Sequence, residues 1–368
     1  MEIGTIIKKY RRARDMTQEQ LAECLRVSVS AVSQWESGKT APDLSLIPAI
    51  CNLFGISADE LLGINLEQKE RRISDIEDQA NQHSSRGQLR EAADILEAGL
   101  REFPDSYGII YDLMYVYFSQ YCGNHVCRHE LDEAIRLAKR ILEGCIHDGY
   151  REGAKQVLCY AYESKGELDK ALEIAQSLPS IYVTNQGMYA RLQTGSEGHS
   201  AHQSLLSNLL DLLNQELSVN KILDDGTPAY TADEMAILYQ KQLTLHELMI
   251  EDGNYGFFHT RLQDIHMALA CHYVGKHDTE KALHHLSAAA DHAIAFVACE
   301  GRGAYTCLLL RGRVTDGFST NDPENNATQM QRQLSSPTFD FIRSTPEFAA
   351  ILEKLTSVAG QWKVKGEV

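Results

Sequence analysis

"MTQEQLAECLRVSVSAVSQWESGK" (residues 16–39) decides how the first sixty residues fold. Thr17 and Gln20 have capping-box spacing: the hydroxyl accepts the N–H three residues on, and the Gln side chain reaches back to the cap. Leu21, Ala22 and Leu25 then supply the buried side of a helix. A break follows at Arg26 and Val27. Ser28 reads as the N-cap of a further helix with Val32 and Trp35 turned inward, and Gly38 ends it as the residue beyond the C-cap. The result is helix, short turn, helix. Upstream, Ile3, Ile7 and Tyr10 at i, i+4, i+7 make an apolar stripe on a first helix and leave Lys8, Lys9, Arg11, Arg12 and Arg14 largely to other faces. Downstream, a fourth apolar helix runs from about Leu44 to Phe54, and Ser57 with Glu60 forms a second capping box that opens a fifth helix through Leu62.

The charge distribution tells the two ends of the chain apart. The 368 residues carry a formal charge of −16, which alone argues against nucleic acid, because phosphate contacts favour a basic surface. Residues 1–40, however, hold seven Lys and Arg against five acids, whereas residues 67–368 hold 28 against 43. Any DNA contact is therefore expected in the weakly basic head. No apolar run follows a basic start, and no run of 18 apolar residues occurs, so the expectation is a soluble, cytoplasmic protein without membrane contact. Nine scattered cysteines fit reduced, mostly buried thiols.

The motif elements T-Q-x-x-L-A, V-S, W-E-x-G-K and F-G-x-S-x-x-x-L-L occur in order over residues 2–63. This stretch resembles the phage-repressor-like helix-turn-helix family of bacterial transcriptional regulators. The resemblance implies a five-helix, lambda-repressor-like domain whose third helix lies in the major groove of an operator. On that docking, Val29, Ser30, Ser33 and Gln34 face bases: Gln34 can bond adenine N6 and N7 together, and Val29 can meet a thymine methyl. Gln18, Ser28, Ser37, Lys39 and Thr40 are placed for phosphates, helped by helix N-termini. Arg11 and Glu36 match family positions that form an ion pair between the first and third helices. Trp35 is expected to be buried and silent toward bases. One departure stands at Arg26, where the family usually has glycine; a left-handed backbone there costs a non-glycine residue roughly 1 kcal/mol, so a slightly reshaped turn is expected. A helical bundle that binds no DNA has the same periodicity, and only the polar, acid-poor face of the third helix speaks against it.

The remainder of the chain repeats itself. "RGQLREAADILEAGLREFP" (86–104) and "KGELDKALEIAQSLP" (165–179) share Gly, Leu and Ala at fixed offsets, at Gly87, Leu89, Ala92 and Gly166, Leu168, Ala171. "ELDEAIRLAKRIL" (130–142) and "DTEKALHHLSAAADHAI" (278–294) carry two more units on Ala134 and Ala282. They resemble tetratricopeptide repeats, so the fold class expected is all-α: a helix-turn-helix head followed by a TPR-like helical solenoid. The boundaries expected are 1–64 for the head, 65–72 for a joint, 73–300 for the repeats, with 183–260 divergent, and 301–368 for capping helices. Residues 224–231 and 315–328 read as loops. The inward positions of the units include Asn81, Tyr111, Tyr115, Gln156 and Tyr160, which suit a groove for an extended peptide. Simple packing of those tyrosines between units is the alternative.

Joined in this order, the two modules look like the peptide-pheromone receptor regulators. That likeness implies a homodimer on double-stranded DNA, with a peptide or protein effector on the solenoid. A non-enzymatic interaction scaffold, its solenoid recruiting protein partners, is the rival reading. Cys122, His125, Cys127 and His129 crowd together, with Cys145 and His147 further on, but C-x4-C is not a common zinc spacing and no metal is expected there. With no phosphate-cradling loop and no nucleophile elbow, neither a cofactor nor an enzymatic activity is expected.

Overall fold

The structure is a computed structural model that describes residues 2–63, 66–123, 127–182, 184–316, 320–360 and 362. Its chain divides into two units, Met1–Glu77 and Asp78–Val368. The first contains α1 (Glu2–Ala13), α2 (Gln18–Leu25), α3 (Val29–Glu36), a 3-10 turn at Leu44–Leu46, α4 (Ile47–Phe54) and α5 (Ala58–Leu61). Both capping signals form as the sequence requires: Thr17 and Gln20 exchange the two bonds of a capping box, and Ser57 accepts the Glu60 N–H. The small core gathers Ile3, Ile7, Leu21, Val32, Trp35, Ile50, Phe54 and Leu61. α1 and α3 meet so closely that a Cβ on Gly4 would lie 1.8 Å from the Trp35 carbonyl oxygen. Only glycine fits there.

The turn after α2 is not reshaped. Arg26 keeps the left-handed conformation, φ 56° and ψ 42°, and its N–H donates to the carbonyls of Ala22 and Glu23. Val27 N–H also returns to Ala22, at 2.9 Å. These bonds satisfy the end of α2, and Arg26 carries the backbone strain that a glycine would avoid.

α6 (Leu66–Ser84) runs across the division at residue 77, so the stretch expected as a joint is helical from Leu66 onward. The second unit continues with α7 (Leu89–Glu102), α8 (Tyr107–Gly123), α9 (Arg128–Gly144), α10 (Asp148–Ser164), α11 (Leu168–Ala175), α12 (Asn185–Leu192), α13 (Gly195–Leu217), α14 (Ala232–Met249), α15 (His259–Gly275) and α16 (Thr279–Cys299). A two-stranded hairpin, β1 (Arg302–Ala304) with β2 (Val314–Asp316), precedes α17 (Asn326–Leu334) and α18 (Pro346–Thr356). Each helix from α7 to α11 packs on the next, and α8 also packs on α10, the stacking of first helices expected of tetratricopeptide-like units. Ala92, Ala134 and Ala282 are fully buried where paired helices cross. Gly87 and Gly166 both have φ +75° in the turn five residues before the unit's alanine. The same place before Ala282 is held by His277 at φ 56°, a correspondence that residue types alone conceal. α17 and α18 cover the far side of α16, where Met330, Leu334, Phe348, Ile351 and Leu355 close one core.

Residues 315–328 are not all loop, because 315–316 pair in the hairpin and Asn325 caps α17 from 326 onward; residues 317–319 lie outside the described set. Nor are the cysteines mostly buried: Cys145 and Cys307 are, but Cys24, Cys122 and Cys271 are exposed on helix faces turned to solvent, and all nine are free thiols. Among the described residues no helix is long and apolar enough to cross a membrane.

Candidate nucleic-acid interface

α3 begins at Ser28, whose hydroxyl accepts the Ala31 N–H at 3.1 Å, and presents two unlike sides. Val32 and Trp35 are buried in the head's core. Val29, Ser30, Ser33 and Gln34 are exposed on the other side. They place one apolar group, two hydroxyls and one carboxamide on a single helical surface with no acid among them, a set able to read base edges. Ser28, Ser37, Lys39 and Thr40 are exposed at the two ends of the helix, and Ser37 Oγ donates back to the Gln34 carbonyl at 3.1 Å.

The helix is fastened from behind. Arg11 Nε and Nη2 donate to the two oxygens of Glu36 at 2.5 and 2.8 Å, while Arg11 Nη1 donates to the Met16 carbonyl at 2.7 Å. The Glu36 side chain is 3% exposed. Burial pushes its carboxyl up, but the hydrogen bonds from Arg11 and Gln18 outweigh that and hold it below the ordinary carboxylate range. Gln18 is half-buried and shares its amide: Nε2 donates to Glu36 Oε2 at 2.9 Å, which leaves its second N–H as a donor. Arg14, a bare positive charge in the sequence, caps α4 instead, donating to the Leu53 carbonyl and, at 2.7 Å, to that of Phe54. Of the head's cations, Arg11 and Arg14 therefore serve the fold, whereas Lys9, Arg12, Arg26 and Lys39 are exposed.

In the second unit, four of the five groove residues come together. Tyr111 and Tyr115 meet edge to face with centroids 4.9 Å apart, Tyr115 Oη donates to Gln156 Oε1 at 3.3 Å, and Tyr160 stacks on Phe118 at 6.2 Å. Burial raises the Tyr115 hydroxyl well above its ordinary pKa. Tyr160 remains half exposed. Asn81 stands exposed on α6, where its carbonyl accepts Ser84 Oγ at 3.4 Å. Of the cysteine and histidine cluster, His125 lies outside the described residues. Among the described residues no three His, Cys, Asp or Glu side chains group as a metal would need.

No motif in the sequence marks the cavity of about 360 Å³ among α13, α14 and α15. Its lining includes Asn214, Ser218, Gln242, Arg261 and Asp264, which are spread over fifty residues without a motif.

Residues 7–61 match the helix-turn-helix family. The uncharacterized HTH-type transcriptional regulator YazB of Bacillus subtilis (strain 168) is 36% identical over 58 residues, 84% of its length and 16% of this chain. The chain belongs to the helix-turn-helix family. The HTH-type transcriptional activator BcrR of Enterococcus faecalis is 41% identical to this helix-turn-helix protein over 76 residues, 37% of BcrR and 20% of the chain. Antitoxin PezA of Streptococcus pneumoniae is 29% identical over 76 residues and 45% of its length, so the chain spans less than half of either relative. Among solved structures, Bacillus thuringiensis PlcR in complex with the peptide PapR7 and DNA is 15% identical, with a TM-score of 0.32 over 80% of this chain and 95% of PlcR. The apo competence regulator ComR of Streptococcus vestibularis is 14% identical, with a TM-score of 0.24 over 79% of this chain and 91% of ComR.

Proposed function

We propose that this chain is a cytoplasmic, sequence-specific DNA-binding transcriptional regulator. Residues 1–64 bind an operator, 65–72 join the modules, the repeats of 73–300 dimerise and take up an effector, and 301–368 cap them. The observation that carries this reading is the outer side of α3. Val29, Ser30, Ser33 and Gln34 stand exposed in a row on a helix whose inner side is held by Trp35 and the Arg11–Glu36 pair. A domain that only packed would gain nothing from a rigid, uncharged, hydrogen-bonding ridge flanked by Lys39 and two serines.

Dimerisation draws support from the middle of the solenoid. α12 buries none of its residues, and Met188, Tyr189 and Leu192 on it are exposed alongside Leu209, Leu212 and Leu213 of α13. So large an apolar surface fits a protein partner, and a second copy satisfies the symmetry of an operator. Effector binding draws support from the half-exposed tyrosine face of α8 and α10, which suits an extended peptide. Capture of genomic fragments by the purified protein, followed by a salt titration on a captured fragment, tests the whole reading. Enrichment of defined sites with a steep negative log–log salt slope is expected; recovery of random fragments, or no salt dependence, refutes it.

A further inference from the structure

The turn from α6 into α7 and the turn from α10 into α11 are the same piece of the repeat, each with a glycine at φ +75°, yet the chain covers only the first. A Cβ on Gly166 would meet nothing within 4 Å, whereas one on Gly87 would lie 2.5 Å from the Asp322 carbonyl carbon and from the Pro323 nitrogen. Thr320 N–H donates to the Ser85 carbonyl at 3.1 Å, and Arg86 pairs with Thr320 as a parallel bridge. The backbone of 320–323 therefore lies directly on the turn, nearer than any residue but glycine allows.

A tryptophan fastens the same place. Trp362 is 5% exposed, and its N–H donates to the Pro323 carbonyl at 2.8 Å. Its ring meets Phe296 of α16 edge to face at 6.0 Å and carries the Arg86 guanidinium over it at 6.0 Å. The segment before it is pegged to the start of α17, where Asn325 N–H and Nδ2 donate to the carbonyls of Gly360 and Val358, both at 2.8 Å. Arg86, itself 5% exposed, also reaches Glu300 at 3.5 Å across 214 residues of sequence. Glu300 ends α16 in a left-handed conformation, φ 49°, that its Cβ disfavours. Its carboxylate meets Arg302 as well, at 2.9 Å, and is 34% exposed, so solvent screens both pairs. A strained residue and a long, screened ion pair mark a contact that can open.

We propose that Trp362 pins a clasp that closes the second unit on its own first turn and holds the end of α6, and that opening this clasp loosens α6 and weakens operator binding. The bonds that end α6, from Gly87 N–H to the Ser84 carbonyl and from Gln88 N–H to that of His83, both at 3.1 Å, lie in the clasped turn. With the cover of 320–323 and Trp362 gone, they open to water and the last turn of the helix frays. α6 begins in the first unit and ends in the second, so its last turn is where the second unit can act on a helix that both share. The inference rests on the operator-binding part of the reading above and adds the contact through which the solenoid acts on it.

Hydrogen exchange of the full chain, read on the amides of 80–88 and 320–325, tests it. Trp362→Ala is expected to speed exchange in both stretches at least about tenfold and to leave the helices from α8 to α11 as they are. Gly87→Asn should do the same, because asparagine tolerates the left-handed turn but its Cβ collides with 322–323; Gly166→Asn, in the same turn with open space, should leave both stretches unchanged. Exchange that quickens throughout the second unit, that stays slow at 80–88 in Trp362→Ala, or that is alike in the two asparagine variants overturns the clasp. Affinity for a captured operator reads its consequence: Trp362→Ala is expected to bind at least about fivefold more weakly than the wild type, with random duplex unaffected. Faster exchange with unchanged operator affinity overturns the link to DNA binding. A wild type that selects no operator would end the regulator reading, and the exchange measurements would still decide the clasp.

Discussion

Arg26 and Glu36 each hold the head in shape at some cost. Arg26 occupies a left-handed backbone that its Cβ disfavours, and its own N–H ends α2. Arg26→Gly keeps that bond and removes the strain, so the head is expected to gain about 0.5–1 kcal/mol in a denaturant melt; a loss of stability would show that the arginine side chain contributes more than its backbone costs. Glu36 is nearly buried and paired, with its carboxyl held below the ordinary value of 4.5. A depressed carboxylate stabilises the fold above its unfolded pKa and loses that contribution as pH falls through the folded one. Protection of α1 and α3 amides against hydrogen exchange is therefore expected to fall below about pH 4.5 in the wild type. Glu36→Gln, which leaves Arg11 half-buried and unpaired, should already be less stable at pH 7 and lack that acid step; unchanged protection at pH 7 would show the pair to be dispensable.

At the scale of elements, α15 and α16 are joined by a row of imidazoles. His259 Nδ1 faces His292 Nδ1 at 2.8 Å, His266 Nδ1 faces His285 Nδ1 at 2.9 Å, and the His266 and His292 rings stack at 5.6 Å. Each close pair needs one donor and one acceptor, so two imidazolium rings cannot face each other there. Burial first, and then neighbouring histidines, push His266 down to about 3 and His285 and His292 to about 4. Among the charged groups nearby, Asp291 is bonded to Lys354 of α18 and Arg261 to Asp211 of α13, while His246 of α14 and His284 of α16 add no negative charge. The unfolded chain binds more protons than the folded one between about pH 6.5 and 4, so stability falls as pH drops through that window, by up to about 1.4 kcal/mol per unit for each histidine. Guanidinium melts of the full chain should show this, and His266→Asn, which keeps a donor for His285, should flatten the slope. An equal slope in both proteins would mean that the row does not titrate with unfolding.

Part of the fold is legible in local signals of the sequence. The caps at Thr17, Ser28 and Ser57 and the glycine–alanine spacing at 87–92 and 166–171 are local signals, and the elements they mark formed where expected. Gly4 against Trp35, Arg14 capping α4, His277 in a glycine's conformation and Asn214 with His246 depend on pairs brought together only by the fold. No periodicity announces them. The exposed ridge of α3 was legible because helical spacing fixes which residues share a side once the inward Val32 and Trp35 are known.

For the molecule as a whole, a single recognition helix in a major groove reads only a few base pairs, and two related by symmetry about 34 Å apart would read a longer site. Light scattering at micromolar concentration should give twice the 41.2 kDa of the chain. Met188→Glu with Leu192→Glu, both on the bare side of α12, should return it to one chain if that surface makes the dimer. A wild-type monomer with and without operator would remove the dimer from the account. Above all, α3 is expected to enter the major groove with Gln34 against a base. Affinities of the wild type, Gln34→Ala and Lys39→Ala for a captured operator and for random duplex measure it directly. Gln34→Ala is expected to weaken the operator by roughly 1–3 kcal/mol and spare random DNA, while Lys39→Ala weakens both about equally and reduces the salt slope by about one. Equal losses on operator and random DNA for Gln34→Ala would contradict the groove assignment.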